Sequence, residues 1–314
     1  MRKKSSSTQP AIKLTGLEKE GLIVATFGAH VEVEDNTGAV FRCYQRKSLA
    51  PLITGDRVLW LLEPTGTGMI VDFFPRSAVL SRPLGHRKVK LLAANINALV
   101  IVISPVPVVT ADVLDRYLVA AENLNIPSII LLNKVDLMPA DELAELMTKL
   151  QVYADIGIPV IQASTYTDNG LVALEEYLTN KISVLVGPSG VGKSSIIAKL
   201  TTVEHIRIGE ISATSQLGKH TTTTTRLYHL RLGGKLIDSP GVREFRLWHM
   251  SQADILKGFV EFKKFMNKCR FRDCRHHAEP DCAVLAAVAN NEISSQRFLS
   301  YKKIIAELID SDSY

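Results

Sequence analysis

The sequence predicts a multi-domain chain in three parts: an N-terminal β-barrel, a central α/β domain and a C-terminal helical domain built around a metal ion. Short alternating or aromatic-rich runs crowd residues 20–75, and near-continuous apolar runs alternate with helical periodicity from residue 96. Three of the four cysteines, Cys269, Cys274 and Cys282, fall within fourteen residues near the C-terminus. At 314 residues the chain has room for two or three domains of about 100–200 residues each.

The start, "MRKKSSSTQP", is basic and polar with no apolar signal core behind it, so residues 1–19 are expected to form a disordered tail and the protein to be cytoplasmic. Hydrophobic residues make up 46% and charged residues 22%, and no apolar run approaches the ~20 residues of a membrane span, which argues against a membrane protein. Residues 20–85 read as the barrel. The runs "GLIVATFGAHVEVED", "AVFRCYQ", "DRVLWLLE" and "GMIVDFF" are separated by Gly, Asn, Asp and Pro turn signals. An OB-fold suits this size and commonly presents an oligonucleotide-binding face; an SH3-like barrel would give much the same pattern. Cys43, alone in one of these strands, reads as a core residue.

Residues 86–245 read as the α/β domain. The expected strands are "INALVIVIS" (96–104), "PSIILLN" (127–133), "IPVIQAS" (158–164) and "ISVLVG" (182–187), apolar enough for a parallel sheet covered on both faces. Helical periodicity over 112–125 and 140–156, each opening near an Asp, completes a βαβ arrangement.

"GPSGVGKS" (187–194) follows the last of these strands and opens a helical stretch, the context that a phosphate-binding P-loop requires. Gly187, Gly190 and Gly192 let backbone N–H groups wrap phosphates, Lys193 reaches their β- and γ-oxygens, and the Ser194 hydroxyl suits Mg²⁺. Pro188, Ser189, Val191 and Ser195 complete the candidate phosphate contacts. "NKVD", comprising Asn133, Lys134, Val135 and Asp136, sits at the carboxyl end of another apolar strand, where open α/β sheets bind ligands. The Asp136 carboxylate can accept from the ring N–H and exocyclic amine of guanine, a donor pair adenine lacks. Asn133 can orient the base edge and the Lys134 stem can cover its face. ATP would leave buried polar groups unpaired, at ~1–3 kcal/mol each. Ser164 and Thr165, in "STY" after the next strand, are candidate second contacts to guanine through backbone N–H groups.

"KHTTTTTR" (219–226) supplies a threonine for Mg²⁺, Thr222 or Thr223. In "DSPG" (238–241), Asp238 suits Mg²⁺ through water and the Gly241 N–H suits the γ-phosphate. These are the parts of a P-loop GTPase, but the base reader precedes the phosphate loop: the domain is circularly permuted, and its second switch runs directly into the C-terminal domain. The position after Gly241, often a water-orienting glutamine in GTPases, is Val242. His220 is therefore the candidate catalytic residue, and slow intrinsic turnover is expected.

Residues 246–314 read as a helical zinc-binding domain. Cys269, Cys274, His276 and Cys282 are spaced C-x4-C-x-H-x5-C, a closed structural shell for one Zn²⁺, with His277 an alternative to His276. Arg270, Arg272 and Arg275 lie between the ligands. Residues 76–90 carry five Arg or Lys and no acid, and residues 257–275 carry seven against two, a distribution suited to a polyanion such as RNA.

With "NKVD", "GPSGVGKS", "GKHTTTTT", "DSPG" and the cysteine cluster in this order, the chain resembles the RsgA family of bacterial circularly permuted GTPases. The resemblance runs from "GLIVATFG" to the C-terminus, and "TGDRV" (54–58) and "EPDC" (279–282) look like family landmarks, with Asp281 where the family usually has glycine. It implies an OB-fold, a permuted G domain and a zinc domain. It further implies a GTP hydrolase that docks on the decoding region of a late-stage small ribosomal subunit and its 16S rRNA, is stimulated there, and leaves after hydrolysis; nothing in the sequence demands more than a monomer. The family's proposed catalytic histidine falls on His220. An RNA-binding module whose nucleotide only gates affinity is the competing expectation, and Asp136 disfavours an ATP-dependent enzyme.

Overall fold

The computed structural model describes residues 16–83, 89–201, 225–238 and 250–312. Residues 1–15 of the expected tail lie outside this set, while Lys19 already opens the first strand.

Five strands form the barrel: β1 (Lys19–Phe27), β2 (His30–Glu34), β3 (Val40–Gln45), β4 (Arg57–Leu62) and β5 (Gly68–Phe73). Their order is β1-β2-β3-β5-β4, with β4 returning to pair with β1 and β3 parallel to β5. That Greek-key closure is the OB arrangement rather than the SH3-like alternative. Alternation along the strands sends Ile23, Val31, Val33, Cys43, Val58, Trp60 and Ile70 into one buried core. Burial pushes the Cys43 thiol up to about 12, as befits an inert core residue. The landmark "TGDRV" has a local reason: buried Asp56 accepts both the Ile53 N–H (2.8 Å) and a two-pronged contact from the Arg76 guanidinium (2.7 Å each).

A hairpin of β6 (Val79–Pro83) and β7 (Val89–Ala94) leads out of the barrel. The sequence shows no strand here because basic residues break the alternation.

The α/β sheet comprises β8 (Ala98–Ile103), β9 (Ser128–Leu132), β10 (Val160–Gln162), β11 (Ile182–Val186), β12 (Thr225–His229) and β13 (Lys235–Asp238). It runs β10-β9-β8-β11-β13-β12, all parallel except β12. Helices α1 (Ala111–Leu124), α2 (Ala140–Asp155), α3 (Val172–Leu178) and α4 (Lys193–Leu200) connect it. Successive side chains of β8 and β9 feed opposite faces. Leu99, Ile101, Ile103, Ile130 and Leu132 join one core, and Val100, Val102, Ile129 and Leu131 the other, which is why both strands read as unbroken apolar runs. Barrel and sheet are continuous, because β1 pairs with β12.

The C-terminal region is helical, as expected, and mostly in short pieces. Helix α5 (Gln252–Lys257) opens with a capping box of Ser251 and Asp254, a 3-10 turn follows at Val260–Lys264, and α6 (Ala283–Ala289) and α7 (Ser295–Asp312) end the fold. Phe259, Phe262, Phe298 and Tyr301 share one core with α1 and the central sheet. Fully buried Arg297 bridges the two regions, donating to Asp115 of α1 (2.5 Å) and to Glu261 (2.7 Å). Among the described residues, no helix is long and apolar enough to cross a membrane.

Candidate nucleotide site and metal centre

The phosphate loop leaves β11 and turns into α4 through three glycines at positive φ: Gly187 (139°), Gly190 (86°) and Gly192 (98°). Two of them also need the space. A Cβ on Gly187 would lie 2.3 Å from the Val102 carbonyl oxygen, and one on Gly192 would lie 2.3 Å from Asn133 Nδ2. Lys193 Nζ donates to the Gly187 and Pro188 carbonyls at 2.6 and 2.5 Å, so its ammonium lies against the loop it serves. Val191 is buried, anchoring the loop, whereas Ser189, Gly190, Ser194 and Ser195 are exposed.

The NKVD segment reaches the same loop. Asn133, 1% exposed, donates from Nδ2 to the Val191 carbonyl at 2.9 Å. Its Oδ1 is buried without a hydrogen-bond partner among the described residues, an acceptor that a bound base can satisfy. Lys134 adopts a left-handed backbone (φ 64°), and its Nζ donates to Val106 O (3.0 Å) and Gly190 O (2.5 Å). The lysine stem thus spans from the NKVD segment to the phosphate loop. Val135 and Asp136 form a short 3-10 turn that leaves the Asp136 side chain at the surface. Asp136 accepts from the buried Ser164 hydroxyl at 2.5 Å, while Ser164 Oγ itself accepts from the Tyr166 N–H at 3.0 Å. The sequence suggested only backbone contacts for this segment; the side chain of Ser164 holds the Asp136 carboxylate. Thr165 lies half-buried beside it.

Asp238 ends β13, next to β11 in the sheet and therefore on the same edge as the phosphate loop. His220, Thr222, Thr223 and Gly241 lie outside the described residues.

The structure brings Cys269, Cys274, His276 and Cys282 together, their ligand atoms all within 4.8 Å of one another. Cys269 Sγ is 3.9 Å from Cys282 Sγ, close to the ~3.8 Å edge of a tetrahedron with Zn–S bonds of about 2.3 Å. His276 Nδ1 lies 3.5 Å from Cys269 Sγ and 3.4 Å from Cys282 Sγ. This donor set fits a metal ion of the zinc type. His276 is buried and His277 exposed, which settles the choice between them in favour of His276. The sequence missed Glu279, which organises the knuckle: its carboxylate accepts from the N–H groups of Arg275 (2.8 Å), His277 (2.7 Å) and Ala278 (3.1 Å). Burial pushes the Glu279 carboxyl up, but these amides outweigh it and hold the group at about 2. Asp281 stands at φ 56°, a left-handed conformation that explains glycine at a family position and that Asp tolerates.

The RsgA GTPase family model matches residues 73–248. The small ribosomal subunit biogenesis GTPase RsgA of Pseudomonas fluorescens (strain Pf-5) is 46% identical over 300 residues, covering 94% of this chain and 88% of that protein. The protein of the same name from Pseudomonas putida (strain F1) is 46% identical over 303 residues, covering 95% and 88%. Among solved structures, YjeQ from Thermotoga maritima has a TM-score of 0.77 at 30% identity, covering 93% of this chain and 99% of that one. YloQ, a circularly permuted GTPase, has a TM-score of 0.73 at 26% identity, covering 94% and 96%. Permutation is visible in the sheet itself: started at β11, the chain would give phosphate loop, β12, β13 and then β8 to β10, with the NKVD segment after β9. With its barrel, permuted nucleotide domain and cysteine knuckle in this order, the chain belongs to the RsgA family of circularly permuted GTPases.

Proposed function

We propose that this GTP hydrolase acts in late assembly of the small ribosomal subunit, binding the subunit with GTP, hydrolysing GTP to GDP and phosphate when the subunit stimulates it, and then dissociating. The observation that carries the reading is the Asn133–Val191 contact, which welds a guanine reader to a phosphate loop in permuted order within a chain 46% identical to small-subunit biogenesis GTPases.

In this reading Asn133, Lys134, Val135 and Asp136, with Ser164 and Thr165, hold the guanine, and residues 187–195 hold the phosphates. Ser194, Asp238 and either Thr222 or Thr223 hold Mg²⁺, which neutralises charge developing on the phosphates. The Gly241 N–H meets the γ-phosphate, and His220 orients the attacking water. Cys269, Cys274, His276 and Cys282 hold one structural Zn²⁺. The proposed division is a tail at 1–19, the barrel at 20–85, the G domain at 86–245 and the zinc domain at 246–314. The barrel and the arginines of the knuckle meet 16S rRNA, and the protein works as a cytoplasmic monomer.

The test is GTP and ATP turnover by the purified protein with and without isolated small ribosomal subunits. Stimulation of GTP hydrolysis alone supports the proposal, and His220→Ala should abolish that stimulation while leaving GDP affinity unchanged. Tight GTP-dependent subunit binding without stimulated turnover would replace it with a gated RNA-binding module.

A further inference from the structure

The knuckle carries an aromatic ring that its core does not use. Phe271, between the ligands Cys269 and Cys274, is 42% exposed and belongs to no hydrophobic core, the one phenylalanine so placed among the described residues. Phe265, by contrast, packs against the main core. The backbone keeps Phe271 at the surface: its carbonyl accepts the Cys274 N–H at 3.4 Å, closing a turn inside the metal-binding loop. Beside it the Arg270 guanidinium stands 5.5 Å from the ring centroid. Arg270 is tied twice to Asp281, by its backbone N–H to the Asp281 carbonyl (3.3 Å) and by Nη1 to Oδ2 (3.0 Å). Asp281, where the family usually has glycine, thus supplies the carboxylate that steers a cation onto Phe271. Of the other acids in the loop, Glu279 is spent on backbone amides. That leaves Asp273 against Arg272 and Arg275, which are exposed and form no ion pair among the described residues. An open aromatic ring, a cation against it and spare guanidiniums are the parts that bind single-stranded nucleic acid: stacking takes a base and the charges take the backbone.

We propose that Phe271, with Arg270 beside it, is a stacking site for one unpaired RNA base, so that the knuckle prefers a single-stranded segment to a duplex. This rests on the RNA contact given to the knuckle above and adds to it a reader of strandedness. A duplex keeps its base faces inside its own stack and offers this surface only phosphates and groove edges. Arg272 and Arg275 hold either form through its phosphates; Phe271 holds only the unpaired one.

The test is an anisotropy titration of the full chain with a fluorescein-labelled single-stranded RNA of mixed sequence, and with the same strand annealed to its complement. Phe271→Ala should weaken single-strand binding about 10-fold and leave duplex binding, and the salt dependence of both, unchanged. Phe271→Leu keeps the apolar volume without the ring and should lose as much. Phe271→Trp should bind as wild type, its added indole emission quenched by unlabelled single strand and not by duplex. Metal release to a colorimetric chelator at the wild-type rate shows that the knuckle of each variant is intact. Arg272→Gln with Arg275→Gln should weaken both RNAs and lower the salt slope by about 2. Wild-type affinity in Phe271→Ala, equal losses on both RNAs, retention by Phe271→Leu, or an unquenched Phe271→Trp overturns the inference. If the arginine pair still weakens both RNAs, the contact between knuckle and RNA stands without it; if that variant also binds as wild type, the contact falls too. A Phe271→Ala loss seen with intact small subunits and with neither RNA overturns the inference in favour of a protein partner.

Discussion

The Ser164 hydroxyl and the Asp136 carboxylate are joined at 2.5 Å, and the same hydroxyl accepts the Tyr166 N–H at 3.0 Å. The loops after β9 and β10 thus meet at the carboxylate proposed to read guanine. Because Asp136 is exposed, water competes for its oxygens, and a buried donor behind it fixes the rotamer before a base arrives.

Removing that donor should weaken ground-state binding without touching chemistry. Ser164→Ala is expected to raise KM for GTP about 5-fold at unchanged kcat, the equivalent of one hydrogen bond of ~1 kcal/mol. Fluorescent-GDP titration checks it; wild-type affinity would mean that Asp136 needs no such support.

Changing the carboxylate itself should alter base choice. Asp136→Asn replaces one acceptor oxygen with a donor, so the pair offered to guanine is broken and a match to the C2 carbonyl of xanthine is created. GTP affinity should fall about 10- to 100-fold, as for loss of charge-assisted bonds of ~1.5–3 kcal/mol, and xanthine nucleotides should compete better than before. Unchanged selectivity in a GTP, XTP and ATP competition would remove Asp136 from the base-reading role.

What the sequence made legible had local causes. Apolar runs marked β8, β9 and β11, since strands buried on both faces cannot alternate, and the phosphate loop showed because its glycines answer to backbone geometry at fixed spacing. The knuckle ligands showed for a similar reason. What stayed hidden joins residues far apart in the chain. Arg297 meets Asp115 across 182 positions, Thr54 meets Thr225 across 171, and the pairing of β1 with β12 that makes barrel and sheet continuous leaves no periodicity to read. Glu279 was visible only as part of a landmark, because its partners are backbone amides of unremarkable residues.

The knuckle should depend on Glu279 although it is no ligand. Glu279→Gln replaces one acceptor oxygen with a donor facing backbone N–H groups, so the loop carrying His276 loosens. Metal release to a colorimetric chelator should accelerate about 10-fold, the lower end of what loss of a supporting shell costs. Asp281→Gly, at φ 56°, should release metal at the wild-type rate. Equal rates for Glu279→Gln and wild type would show that the ligands alone hold the loop.

Arg297 should decide whether the C-terminal region and α1 behave as one body. Its guanidinium is held protonated: burial opposes the charge, but Asp115 and Glu261 outweigh it. Arg297→Met strips the cation from Asp115, whose side chain has no exposure at all, and uncompensated burial of such a charge costs about 3–5 kcal/mol. Arg297→Met with Asp115→Leu and Glu261→Met removes all three charges and should recover much of that loss, because an apolar set of similar volume avoids the desolvation cost. Urea unfolding of the full chain, followed by tyrosine and tryptophan fluorescence, reads both effects. The triple variant falling as far as the single one would place the cost in lost packing against Phe259 and Tyr153, whose rings the guanidinium also covers at 4.5 and 5.7 Å, rather than in the orphaned carboxylates.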